Sequence, residues 1–194
     1  HHLFQDFLQA KLQEENPLII RQVMLELAGY YREKQEWEKA HFIYENINEQ
    51  AALISLVEES GTYFIRSGRI ATLGNWLERL PASLVQQRPK IQSLAGAVLY
   101  TRGEVQAGIE ALNLAEKALR LEQDIKPLAI PLVRRAAAYR EMGDYARSLA
   151  DAEEAIDLTR QHAGSVSRDV LAAAQRVKGL SLFRLGQTAE ALEW

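Results

Sequence analysis

The chain contains no cysteine, which excludes disulfides, thiolate metal sites and thiol nucleophiles together and fits a reducing cytoplasm, the location expected for it. Strand formers and helix breakers are also scarce. Nine valines, five threonines and five prolines stand against 27 alanines and 27 leucines, a mixture that favours helices on intrinsic propensity. Neither sign of charge dominates: 23 Lys+Arg against 26 Asp+Glu leave a formal charge of −3, so no broad cationic field gathers nucleic acid or anionic lipid. No apolar run approaches the roughly 20 residues that span a bilayer, and no signal-peptide pattern opens the sequence. No membrane contact is expected. What remains is an all-helical chain of 194 residues, long enough for a sizeable core or for one continuous array.

An array is what the spacing shows. A helical pattern pauses at Gly68-Arg69-Ile70, Gly103-Glu104-Val105, Gly143-Asp144-Tyr145 and Gly186-Gln187-Thr188, and Gln35-Glu36-Trp37 makes a fifth pause without glycine. The intervals are 33, 35, 40 and 43 residues. Seven residues before each pause stand Ala28, Gly61, Gly96, Ala136 and Gly179, all small, as a close helix crossing requires. Three residues further along the same face come Tyr31, Phe64, Leu99, Tyr139 and Leu182, all large and apolar. Beyond each pause Ala40, Leu73, Gly108, Ser148 and Ala191 open a second amphipathic helix, continued by Tyr44, Leu77, Leu112 and Ala152.

This small-then-aromatic pattern, followed by a Gly-Asp-Tyr-like turn, resembles the tetratricopeptide repeat, with Ala136 to Ala155 as the best unit. The fold expected is an all-α, tetratricopeptide-like solenoid of about five antiparallel helix pairs, coiled into a right-handed superhelix and preceded by an N-terminal helix. The pairs are placed at about 18–48, 49–80, 89–122, 127–161 and 167–194. Two domains follow: 1–16, the leading helix, and 17–194, the repeat array. Pro81, Pro89, Pro127 and Pro131 fall between helices or in first turns, and Gly164-Ser165 marks the last long loop. Trp194 lies about seven residues into the last second helix, so the sequence reads as part of a longer array without its capping repeat.

The stretch Leu73-Gly74-Asn75-Trp76-Leu77-Glu78-Arg79-Leu80-Pro81, then Arg88-Pro89, then Gly103 with Ala115-Glu116-Lys117-Ala118-Leu119, resembles the helical-repeat arm of LuxR-type, MalT-like ATP-dependent bacterial transcriptional regulators. The opening His2-Leu3-Phe4-Gln5-Asp6-Phe7-Leu8 is similar to the segment that joins their winged helix to that arm. The resemblance implies a nucleotide-switch ATPase before the arm, a DNA-binding domain after it, and an arm that receives an effector or an inhibitory partner. No G-x-x-x-x-G-K-[ST] loop and no basic helix-turn-helix occurs within these residues. The arm itself is therefore expected to make no direct nucleic-acid contact.

His1, His2, His41 and His162 lack the i, i+4 spacing that aims two imidazoles at one metal, so neither a metal nor a cofactor is expected. Ser165 beside His162 has no G-x-S-x-G elbow to present it as a nucleophile. Glu14-Glu15, Glu58-Glu59 and Glu153-Glu154 are adjacent pairs that a helix points about 100° apart, which suits a solvated surface better than acid–base work. Trp37 and Trp76 fall on core positions of the register. Arg134-Arg135 and Arg88-x-Lys90 read as small solubilising clusters.

Binding without chemistry is the expected activity. Counted from the register, the first-helix residues that face away from second helices are Leu25, Gly29 and Arg32; Glu58, Thr62 and Ile65; Ser93, Ala97 and Tyr100; Val133, Ala137 and Arg140; Arg176, Leu180 and Phe183. Tyr100, Arg140, Arg176 and Phe183 are the candidate ligand-binding set, two guanidinium forks for a carboxylate, phosphate or sugar with two flat apolar partners. The chain is expected to be the sensor or protein-interaction arm of such a regulator, holding a protein or a small-molecule effector. The alternative is a stand-alone scaffold that holds a peptide or helix of a partner protein.

Overall fold

The computed structural model describes residues 16–123, 126–162 and 167–194, so residues 1–15 of the expected leading helix and the Gly164-Ser165 loop lie outside it. Among the described residues there are helices and turns and no strand. The chain divides into two compact units, 1–61 and 62–194.

In the first unit, α1 (Pro17–Glu33) opens with Pro17 in its first turn, where the fixed φ suits a helix and the missing N–H has no partner to lose. It packs on α2 (Trp37–Asn46). Most of α3 (Gln50–Arg66) follows. Ala28 and Ala40, the small residues of the register, are fully buried, and Trp37, Ile43, Tyr44, Leu53, Leu56 and Val57 complete the core. The outer face of α1 contrasts with this. Leu18, Ile19, Val23, Met24, Leu27 and Tyr30 are exposed, and Ala28 is the one fully buried residue of the helix.

The second unit takes the end of α3, then α4 (Ile70–Arg79), α5 (Ala82–Gln87), α6 (Pro89–Thr101), α7 (Val105–Leu121), a 3-10 turn (Lys126–Leu128), α8 (Ala129–Glu141), α9 (Tyr145–Gln161), α10 (Arg168–Arg184) and α11 (Thr188–Ala191). From α5 onward consecutive helices pack together, α4 packs on α6, and α6 packs against α8 and α8 against α10 as well. That second set of contacts lines the first helices of successive pairs side by side. The core holds Phe64 edge-on to Trp76 at 4.8 Å, with Leu73, Leu77 and Leu80 buried. Further along, Leu119, Leu128, Leu132 and Ile156 form one cluster. Ser148 takes the small position of α9 and is satisfied there, its hydroxyl donating to the Ala136 carbonyl at 2.8 Å and meeting Ser181 Oγ at 2.9 Å.

The turns explain the register. The second helices start after Glu36, Arg69, Glu104, Asp144 and Gln187, the five pauses read in the sequence. The residue before each has a left-handed φ: Gly68 +74°, Gly103 +93°, Gly143 +80°, Gly186 +81° and, without glycine, Gln35 +57°. The pause residue then donates its N–H to the carbonyl five residues back, on Tyr31, Phe64, Leu99, Tyr139 and Leu182 in turn, at 2.8–3.0 Å. These acceptors are the large residues of the pattern. Each first helix therefore ends in a left-handed closure that satisfies a carbonyl otherwise left without a partner. Two elements were not anticipated, α5 and the 3-10 turn, and the final second helix is a single turn long.

Candidate functional site on the first-helix face of residues 62–194

The expectation that Arg134 and Arg135 form a solubilising surface cluster is corrected by the structure, which part-buries both and gives them opposite surroundings. Neighbouring residues on a helix point about 100° apart. Arg135 turns toward the second helices. Its Nε and Nη2 grip Asp151 at 2.7 and 2.8 Å, and Nη1 reaches Asn113 at 2.7 Å and the Glu116 carboxylate. Burial pushes the Asp151 carboxyl above its ordinary range, with Arg135 pulling against it. At Glu116 burial also pushes upward, but Arg120 and Arg135 together hold the carboxyl below its usual value.

Arg134 turns the other way, onto the face made by the first helices. Nη1 donates to Ser93 Oγ on α6 at 2.7 Å and Nη2 to Thr62 Oγ1 on α3 at 3.2 Å. Both acceptors are neutral hydroxyls. Burial lowers the guanidinium to about 10, and the Tyr100 phenol is the one titratable group whose field opposes that shift. The group stays protonated at neutral pH, a desolvated cation held by hydroxyls and matched by no carboxylate among the described residues. Arginine in that condition has an unmet electrostatic demand, since charged groups removed from water need an opposite charge for full compensation.

The four residues singled out from the sequence stand in different states. Tyr100 packs against Ile109, Ala138 and Tyr139. Arg140 is ion-paired to its neighbour Glu141, and its Nε is buried with no hydrogen-bond partner. Arg176 and Phe183 lie exposed on α10, Phe183 at 58%. No hydrogen bond or ion pair joins any two of the four. At the edge of the same unit Arg66, at the end of α3, is ion-paired to Asp169 at the start of α10.

Arg134 escaped the sequence reading by one residue. Ser93 lies three residues before the small position of its helix, and the same count in α8 lands on Val133. The signal available was the arginine doublet itself, because two adjacent cations on one helix cannot both reach the same acidic neighbour. The glutamate pairs also do more than meet solvent: Glu59 pairs with Arg32, Glu153 with Lys178 and Glu154 with Arg120. Trp37 and Trp76 are buried, as the register placed them. Among the described residues no three His, Asp or Glu side chains converge on a metal-sized site, and no helix is long and apolar enough to cross a membrane.

No family model matches the chain, and no curated protein matches it. Solved structures do. A crystal structure of MamA protein aligns with 89% of this chain and 86% of its own at 16% identity, with a TM-score of 0.64. Nearly identical TPR-like repeats from Podosopora anserina align over 89% of each chain at 17% identity and 0.60. BtubC (BKLC) from P. vanneervenii covers 95% of this chain and 81% of its own at 13% identity and 0.67. The fold is thus that of TPR-like, all-helical repeat proteins. At such identities the likeness carries the fold alone.

Proposed function

We propose that the chain is an interaction scaffold, without catalytic activity of its own, that holds an acidic or carboxylate-terminated segment of a partner protein against the first-helix face of residues 62–194. The observation that carries the reading is Arg134, a part-buried cation whose hydrogen bonds among the described residues go to the hydroxyls of Ser93 and Thr62. A carboxylate arriving there forms charge-assisted bonds that water does not screen as it screens a surface pair. Tyr100, Arg140, Arg176 and Phe183 are proposed to line the remainder of the groove, with Phe183 and Tyr100 as apolar contacts.

The test is calorimetric. Acidic peptides are titrated into the full chain beside versions in which each Asp and Glu is replaced by Asn and Gln and the carboxyl terminus is amidated. The acidic set binds more tightly, and Arg134→Gln weakens it by about 1.5–3 kcal/mol, the range for hydrogen bonds to charged groups. Equal affinity for both sets, or an unchanged affinity in Arg134→Gln, would sink the proposal.

A regulator's sensor arm is the narrower version of the same reading, supported by the stretch Leu73 to Pro81. Packing accounts for its residues without that context, since Leu73, Gly74, Trp76, Leu77 and Leu80 are all buried. A phosphate-binding loop upstream and a DNA-binding module downstream in the same reading frame would distinguish this version, in which a small molecule competes for the groove.

A further inference from the structure

Two side-chain contacts tie the end of α3 to helices far along the sequence. Arg134 of α8 donates to Thr62 Oγ1 at 3.2 Å over a separation of 72 residues, and Arg66 is ion-paired to Asp169 of α10 over 103. Thr62 and Arg66 are one turn apart on α3, so they share a face with about 6 Å between them along the axis. Their partner helices, α8 and α10, pack on each other. The Arg66 side chain therefore leaves α3 one helical turn from the point where the Arg134 guanidinium is held.

The two arginines are satisfied differently. Arg134 is part-buried, and its hydrogen bonds among the described residues go to neutral hydroxyls. Arg66 already has a carboxylate, but the two side chains of that pair are 65 and 62% exposed, and so open a pair is favoured by no more than about fivefold. Each charge also suits its own helix end, Arg66 in a last turn and Asp169 in a first. That accounts for the residue types. It does not account for their meeting across 103 residues of sequence, where the carboxylate satisfies, from within the chain, a cation that stands beside Arg134.

We infer, on the reading that Arg134 takes a carboxylate of the partner, that Asp169 is a built-in competitor for the same acidic segment. It occupies Arg66 in the free chain and yields it to a second acidic side chain of the partner. Spacing supports this exchange, because alternate residues of an extended segment put side chains on one side about 7 Å apart, close to the step from Thr62 to Arg66. The weakness of an exposed pair supports it as well, since the tie breaks at little cost. A segment with one acid leaves the Arg66–Asp169 pair in place, with its like charge nearby. A segment with two replaces it.

The test is calorimetry on the full chain with two short peptides blocked at both ends. One carries two aspartates at alternate positions, and the other has one of them replaced by asparagine. The two-acid peptide is expected to bind at least about twofold more tightly. Asp169→Asn raises that ratio by a further two- to fivefold, about the strength of the pair it removes, and Arg66→Gln brings it to about one. Asp157→Asn removes an equal charge from an exposed position of the second helix α9 and leaves the ratio unchanged. A ratio that survives Arg66→Gln, that Asp169→Asn fails to raise, or that Asp157→Asn raises equally overturns the role of Asp169 while that of Arg134 stands. If Arg134→Gln leaves the affinity of the one-acid peptide unchanged, or if neither peptide binds, the role given to Arg134 falls and this one falls with it.

Discussion

Gly96 and Gly108 occupy one another's missing side-chain space. A Cβ on Gly96 would lie 2.9 Å from the Gly108 carbonyl oxygen and 2.6 Å from Leu112 Cγ, and a Cβ on Gly108 would lie 2.8 Å from the Gly96 carbonyl oxygen. The α6–α7 crossing is therefore backbone against backbone. Gly96→Ala should lower stability by about 1–3 kcal/mol, the usual cost of overpacking a closed site, despite alanine's better helix propensity. Urea unfolding of the two chains measures it, and an unchanged midpoint would show that the crossing has room.

Gln35 does a glycine's work without being one. Its φ of +57° matches the turns at Gly68, Gly103, Gly143 and Gly186, and a left-handed residue with a Cβ costs roughly 1–2 kcal/mol. Gln35→Gly relieves that strain while loosening the unfolded chain. The expected net effect is a gain of up to about 1 kcal/mol, read as a higher thermal midpoint. The reverse change, Gly143→Gln, should lower it.

Arg135 is worth more as a partner than as a residue. Its side chain and that of Asp151 are each 11% exposed, so Arg135→Met leaves a buried carboxylate with its main counter-charge gone. About 3 kcal/mol is expected to be lost at pH 7, within the range for breaking a buried pair. Adding Asp151→Leu should return most of it. A double variant no more stable than Arg135→Met alone would place the loss in packing instead of charge.

Acid should separate the charge of Asp144 from its cap. The carboxylate accepts the Arg147 N–H at 3.0 Å and pairs with its Nε at 2.6 Å; the backbone bond first, then the side-chain bond and the guanidinium charge, hold it below its ordinary 3.8. A carboxyl with a lowered native pKa stabilises the fold above the unfolded value and loses that contribution as pH falls through the native one. Asp144→Asn keeps an oxygen for the cap but no charge. The difference in thermal midpoint between the two chains should be full at pH 5 and above, then shrink below about pH 4. A difference that is constant down to pH 2 would show that the charge contributes nothing.

The parts of this fold legible in the sequence were those fixed by backbone needs. Left-handed closures favour glycine, close crossings exclude side chains, and the carbonyl that receives the closing bond sits under a large apolar residue, so Gly143, Ala136 and Tyr139 announce one turn together. Helix α5 was hidden because six residues between Pro81 and Arg88 are too few to show a period. The roles of Arg134 and Arg135 were hidden for a different reason. Whether a cation meets a carboxylate or a hydroxyl depends on which helix lies across from it, and neither Asp151 nor Ser93 is marked by its place in the repeat.

Each of the five turns leaves three residues outside its helices, from Lys34–Glu36 to Leu185–Gln187. Closing so short a loop takes little entropy, and comparable closures occur in well under a microsecond. Ribosomes deliver about 5–20 residues per second, so the 33–43 residues between pauses take about 2–9 seconds to emerge. A pair thus has millions of attempts at its own turn before the next pair exists, and the order in which the array assembles is set by synthesis, from the amino terminus outward.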